Sequence, residues 1–247
     1  MSLRALTIGS TGIQSPAQAL EVVANNLANL QTPGFKAARA SFQDLVYQHS
    51  AGSSVGSGTG LATTSSKFDV GPLTSTGREL DLAINGPGFL SVVNANGESF
   101  YTRAGNLTLN AQGELTTPGG LRLDPPIQIP DGTSRIQISA EGKVFAESVG
   151  DRQEIGTINV VNFANPEGLA ASGENRYVAT SASGPAVVGQ AGLTAGAIRQ
   201  GYLESSNVDA VTEFTSMIQL QQAFQVNSQV IQYATDRLRM LRDLNAK

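Results

Sequence analysis

From Met217 to Leu241 the apolar side chains fall mostly at alternating steps of three and four: Met217, Leu220, Phe224, Ile231, Ala234, Leu238 and Leu241. That rhythm predicts a long helix with a heptad seam from about Val208 to Leu244, interrupted only by Asn227. A polar side chain at one seam position is a device for fixing register. Ser205, Ser206 and Asn207 offer N-caps. Asp209 and Glu213 load the first turns with negative charge, and Arg237, Arg239, Arg242 and Lys247 load the end with positive charge, as the helix dipole favours. Near the other end of the chain Ile13, Leu20, Val23, Leu27 and Leu30 repeat the rhythm, with Ser15 and Pro16 where an N-cap and a first-turn proline belong. So narrow a seam buries little apolar surface for the number of residues it orders, and neighbouring copies are expected to supply the rest.

Between these stripes the period changes. After Leu30, Thr32-Pro33-Gly34 stops the first helix, because the residue before a proline is pushed out of the helical region. Phe35 to Gln48 reads equally as a short helix or an extended arm, and Ser50 to Ser66 has the composition of a flexible linker or of a loop ordered by a partner. From Val70 to Gly196 turn signals recur at the spacing of an all-β domain. Leu80, Leu82 and Ile84 alternate with Asp81 and Ala83, and Phe89 to Val93 and Ser99 to Thr102 flank Asn94-Ala95-Asn96-Gly97, a hairpin signature. Further turns are expected at 110–113, 118–120, 131–132, 140–142 and 172–175. The expected fold class is α+β: long N- and C-terminal coiled-coil-type helices packed together, with an inserted, mostly antiparallel β domain. The segments are 1–32 (first helix), 33–69 (arm or linker), 70–196 (β domain) and 197–247 (junction and last helix).

Composition narrows the chemistry. A net charge of -4 and the absence of a basic stripe interleaved with aromatics argue against nucleic acid. With no Cys there is no disulfide, thiolate metal site or cysteine nucleophile. No apolar run approaches a membrane span, and Met1 to Gln14 makes a poor signal peptide, so export would use another route. His49 is the single histidine and borders a Gly/Ser-rich run, poor support for a catalytic imidazole. Gly52-Ser53-Ser54-Val55-Gly56 matches a nucleophile elbow only in letters, with no strand before it and no helix after it. Asn94, Asn96 and Glu98 fit a hairpin turn better than a calcium loop, and Asp81 and Glu79 read as a solvated strand face. Neither catalytic, cofactor-binding nor metal-ligating residues are expected.

Several longer motifs remain. Ala24-Asn25-Asn26-Leu27-Ala28-Asn29 followed by Thr32-Pro33-Gly34-Phe35-Lys36 resembles the N-terminal signature of bacterial flagellar rod and hook proteins. Phe42-Gln43-Asp44-Leu45, Gly71 to Gly77, Leu80 through Asn85-Gly86-Pro87-Gly88-Phe89, and Tyr101-Thr102-Arg103-Ala104-Gly105 continue it. Gln200-Gly201-Tyr202-Leu203-Glu204-Ser205-Ser206-Asn207-Val208 matches the junction into the last helix. The likeness covers nearly the whole chain, and the short single β domain is more similar to a rod than to a hook protein, the distal-rod type first and the proximal-rod type as the alternative.

The resemblance implies a structural subunit of a hollow helical drive shaft, with terminal helices inside and the β domain outward. The expected partners are further copies, neighbouring rod and hook proteins, ring bushing proteins and the flagellar type III export apparatus. The expected place is the basal-body rod across the periplasm, reached without a cleaved signal peptide, and no cofactor is implied. Leu20, Val23, Leu27, Leu30, Met217, Leu220, Phe224, Ile231, Leu238 and Leu241 are the expected assembly seam. Asn25, Asn26, Asn29, Gly34, Phe35, Gly86, Gly88, Phe89, Glu204, Ser206 and Asn207 carry the family motif. Asn25 and Asn26 are expected to make contacts between helices of the assembly, and Asn29 to help end the first helix near Thr32-Pro33.

Overall fold

The computed structural model describes residues 2–45, 48–50, 53–56, 58–148, 151–189 and 191–245, with side chains throughout except at 2–6, 48–50, 53–55, 241 and 245. The chain divides into a helical unit, Met1–Ala28 with Ala38–Ser66 and Asp209–Lys247, and a β unit, Asn29–Ala37 with Lys67–Val208.

In the helical unit α1 spans Ser2–Ala28 and α2 spans Ala210–Asn245. The first helix does not start at Ser15 as expected; it begins more than three turns earlier and carries Pro16 inside. Proline has no N–H, so the carbonyl of Gly12 loses its helical donor. The Asn227 side chain donates to that oxygen from α2 at 2.6 Å, which explains why a proline is tolerated there.

The expectation of a coiled-coil pair is corrected. The described residues hold two α-helices of unequal length, 27 and 36 residues, and they do not join through leucine knobs. The buried line of α1 is Gly9, Ser15, Ala19, Val23 and Asn26, mostly small side chains; Leu20 and Leu27 beside it, and Leu30 beyond the helix end, are only half-buried. A Cβ on Gly9 would lie 2.8 Å from Cγ1 of Ile231, so a larger residue would force Ile231 to shift and the helices approach through glycine. No described side chain of α2 is fully buried: Met217, Leu220, Ile231 and Leu238 are half-buried and Phe224 is 42% exposed. The physical reason is that a period locates apolar residues without saying how closely two backbones approach, and small residues here set that distance. The side chain of Leu241 lies outside the described ones.

The unit is completed by a hairpin in which β1 (Ala38–Asp44) pairs with β4 (Thr59–Ser66) and β2 (Gln48–Ser50) with β3 (Ser53–Val55). The segment after Phe35 is therefore extended, and the segment with linker composition forms strands. Every described side chain of β1 and β4 stays exposed or half-exposed, so neither strand needs the apolar alternation that marks a strand in sequence.

The β unit follows with β5 (Leu73–Ser75), β6 (Leu82–Asn85), β7 (Phe89–Val93), β8 (Ser99–Thr102), β9 (Thr108–Leu109), β10 (Leu115–Thr116) and β11 (Arg122–Leu123). Next come β12 (Arg135–Ile138), β13 (Lys143–Ser148), β14 (Asp151–Thr157), β15 (Val160–Asn162), β16 (Ala170–Ala171), β17 (Arg176–Val178), β18 (Val187–Gly189), β19 (Ala197–Gln200) and β20 (Tyr202–Glu204). The main sheet runs β16-β17-β8-β7-β11-β10-β9, with β15 also on β7 and β18 on β15; β12-β13-β14 form a meander, and β6 pairs β19 and β5 pairs β20. Every pairing between these strands is antiparallel.

Strand β7 is buried on both faces. Leu90 and Val92 enter the larger core with Leu107, Leu115, Leu123, Val144 and Val160, while Phe89 enters an aromatic core with Tyr101, Phe163 and Tyr177. That double burial explains its unbroken apolar run. The turns are held by their own side chains: Asn94 accepts from the N–H of Asn96 and Glu98 and donates to the Glu98 carboxylate, and Asn110 does the same with Gln112 and Glu114. Both lie at expected turns, and each closes a hairpin.

Candidate functional site

The β unit encloses a cluster of ionised side chains built on three short segments. Lys36 lies two residues past the sharp turn at Gly34 (φ +69°), Arg103 follows β8, and Glu204 ends β20. All three are buried. Lys36 Nζ donates to Glu204 Oε1 at 2.5 Å and to the carbonyl of Asp69 at 2.6 Å. Arg103 donates to Glu204 Oε2 at 3.0 Å and to the carbonyl of Gly86 at 2.8 Å, with its guanidinium 5.4 Å from the centre of the Phe89 ring. Glu204 also accepts from the N–H of Gly71 at 2.8 Å through its carboxylate, and from the N–H of Gly34 at 2.7 Å through its carbonyl. Glu204 is thus the hub on which three other segments, carrying Gly34 and Lys36, Gly71, and Arg103, converge.

The balance is two cations to one carboxylate. Burial lowers the pKa of Lys36, opposed by attraction to Glu204 and reinforced by repulsion from Arg103. Burial likewise lowers that of Arg103, again opposed by Glu204. The surplus positive charge is met by the carbonyl dipoles of Asp69 and Gly86 and by the face of Phe89. Beside this hub Asn207 accepts from the N–H of Ala37 at 2.7 Å and donates to the carbonyls of Lys67 and Asp69. Its neighbour Ser206 is buried and accepts from the N–H of Val208. Such an arrangement leaves no carboxylate or amine open to a substrate; chemically it can hold chain segments together.

The motif residues divide between structural tasks. Gly86 and Gly88 adopt φ of +125° and +127°, and a Cβ at Gly88 would lie 2.3 Å from Val160, so both serve the tight entry into β7. Phe89 is core and Phe35 is half-buried. In the helical unit Asn26 is 1% exposed and pairs with its own chain: its amide exchanges two 2.9 Å hydrogen bonds with the backbone of Ala38 and donates to Glu213 at 3.0 Å. Within one chain Asn26 therefore already bridges α1 to α2 through Glu213. Asn25 is exposed, and Asn29 accepts from both the N–H and the hydroxyl of Thr32 just past the end of α1.

Other readings are also revised. The N-cap of α2 is Asp209, which accepts from the N–H of Val211 and the hydroxyl of Thr212, in place of Ser205, Ser206 or Asn207. Asp81 is buried, not solvated, with Arg78 3.6 Å away. The side chain of His49, and Gly52 of the elbow-like pentad, lie outside the described residues. Lys36 and Arg103 fall inside the family motifs, but the sequence pattern assigns them no role; the available signal is a lone cation beside an aromatic residue or a β strand in a chain with only 15% charged residues.

Among exposed polar side chains, α2 leaves a series of large apolar ones uncovered. Val211, Phe214 and Ile218, then Val226, Val230, Tyr233, Met240 and Leu244, are each 46% exposed or more. Among the described residues no helix is long and apolar enough to cross a membrane.

Three family models match the chain: flagella basal body rod protein over residues 6–36, the D1 domain of the flagellar hook protein FlgE/F/G over 83–146, and the flagellar basal body rod FlgEFG protein C-terminal segment over 199–244. Lys36, Arg103 and Glu204 lie one in each. The chain is 38% identical to the flagellar basal-body rod protein FlgG of Agrobacterium fabrum, over 95% of this chain and 96% of that one. To FlgG of Caulobacter vibrioides it is 38% identical over 99% and 100%. To the basal-body rod protein FlgF of the same species it is 35% identical over 90% and 89%.

Proposed function

The chain belongs to the flagellar basal-body rod protein family, and from that premise we propose that it is a structural subunit of the rod, of the distal kind, transmitting torque through repeated contacts between copies. Its place is the flagellar basal body, and it is not an enzyme. The higher identity and fuller coverage of the FlgG relatives over the FlgF relative support the distal over the proximal kind. The finer picture is a shaft spanning the periplasm, built after export without a cleaved signal peptide and touching neighbouring rod and hook proteins and ring bushings.

The observation that carries self-assembly is the series of uncovered large apolar side chains along α2. Each large apolar side chain left in water forgoes about 1.5 to 3 kcal/mol of burial, so a surface of this length favours association. On this reading Val211, Phe214, Ile218, Val230 and Tyr233 meet neighbouring copies together with the half-buried Leu20, Leu27 and Leu30. A variant carrying Phe214→Asp and Tyr233→Asp tests it, because both side chains are more than half exposed and neither is needed inside the monomer. Electron microscopy of the concentrated protein should show tubes for the unaltered chain and none for the variant, with the same circular dichroism melt. Tubes of normal geometry from the variant overturn the reading.

A further inference from the structure

We propose that Lys36, Arg103 and Glu204 form a latch that makes the segments through which the chain enters and leaves the β unit open and close together. Residues 29–37 arrive from α1, residues 67–71 arrive from the hairpin, and residues 204–208 depart for α2. All of them are joined at Glu204 and Asn207. Gly34, Lys36 and Gly71 bond to Glu204; Ala37, Lys67 and Asp69 bond to Asn207; and Lys67 N–H donates to the carbonyl of Ala37. Arg103 anchors the hub to the sheet through the carbonyl of Gly86 and the ring of Phe89.

The charge arithmetic makes the device all-or-none. With Glu204 in place two buried cations share one carboxylate; without it they face each other, and among the described residues no other buried carboxylate is bonded to either. Loss of Lys36 is milder, since Glu204 keeps Arg103 and the Gly71 N–H. If residues 204–208 move away, Lys36, Gly34, Gly71 and Arg103 lose their shared acceptor at once, so the segments that rest on Glu204 open together when it leaves. In a rod subunit, the reading on which this use rests, such a latch fixes where both helical ends leave the β unit.

Hydrogen exchange on the monomeric full chain reads the latch apart from assembly, so it can fail while the rod reading stands. In the unaltered protein the amides of Gly34, Ala37 and Gly71 should share one opening event with a common denaturant dependence, below the opening that exposes Leu90 and Val92 in β7. Three separate openings, or one indistinguishable from that of β7, overturn the latch. In Glu204→Gln the three amides should lose protection together by ten-fold or more, and in Lys36→Met by less. The variant with both changes should exchange more slowly than Glu204→Gln alone, because one of the two facing cations is gone. Faster exchange in the double variant than in the single overturns the charge argument, and the unaltered protein decides the matter if Glu204→Gln does not fold.

Discussion

The two units fix their chain segments with different chemistry at the centre. In the β unit the buried hub is ionic, Lys36, Arg103 and Glu204 sunk among strands, with the Asn207 amide beside it. In the helical unit the anchors are neutral amides, Asn26 and Asn227. The difference follows from the surroundings. A buried ion has a large desolvation cost unless several partners converge on it, and tight strand ends supply carbonyls and N–H groups from many directions. The helical unit has a half-wet interface, and no described side chain of α2 is fully buried. A charge there would gain little and specify less, whereas an amide offers a donor and an acceptor together. Asn26 uses both at Ala38, pairing with the first residue of β1 as another strand would.

The contrast breaks most visibly at Glu204. Removing one partner of a buried ion pair typically costs about 3 to 5 kcal/mol, so Glu204→Ala should lower the stability of the β unit by that order in urea titrations followed by tyrosine fluorescence. A loss under about 1 kcal/mol would put the cluster on the footing of a surface pair. Asn26→Ala ranks next. It removes three hydrogen bonds and leaves the N–H and carbonyl of Ala38 without their partner, for about 2 kcal/mol in the melt of the helical unit. An equal or larger loss than at Glu204 would erase the distinction between ionic and amide anchors.

Legibility in the sequence tracks how local each cause is. The turns at Asn94 and Asn110 are made by side chains bonding within five residues, and Asn-x-x-Gly states them openly. The buried run of β7 is as readable. The hairpin was not, because its strands keep their side chains in solvent and carry no alternation. The apolar period located the last helix but not the face on which α1 packs, since Gly9 and Ala19 are silent in a hydrophobic pattern. Motif resemblance brought Glu204 and Asn26 to notice without their partners. Glu204 meets Lys36 across 168 positions and Arg103 across 101, distances at which only the folded backbone makes neighbours.

Pro16 is the case where a correct local rule gave the wrong start, and it yields a sharper test. Asn227 reaches the Gly12 carbonyl across 215 positions because Pro16 cannot. Asn227→Ala should therefore cost about 1 kcal/mol in the parent chain. In a Pro16→Ala background, where the new N–H can bond Gly12, the same change should cost less than half as much. A double-mutant cycle by thermal melts measures the difference, and equal costs in both backgrounds would show that Asn227 does not serve the broken turn.

The smallest effect is expected at the cap of α2, and it follows pH. The Asp209 carboxyl is held below its ordinary value of 3.8, first by the Thr212 hydroxyl and then by the Val211 N–H. A carboxyl depressed in the folded state contributes stability that is fully present above 3.8 and is lost as pH falls through the lower folded value. The group is fully exposed, so the consequence is local fraying of the first turn. Amide exchange at Val211 and Thr212, compared with residues near Leu220, should rise selectively as pH falls below 3.8, after correction for the intrinsic rate. Asp209→Asn keeps a capping oxygen but carries no titrating charge, and should flatten that dependence while leaving the turn formed. If the Asn variant frays with the same pH profile, the cap is not what titrates.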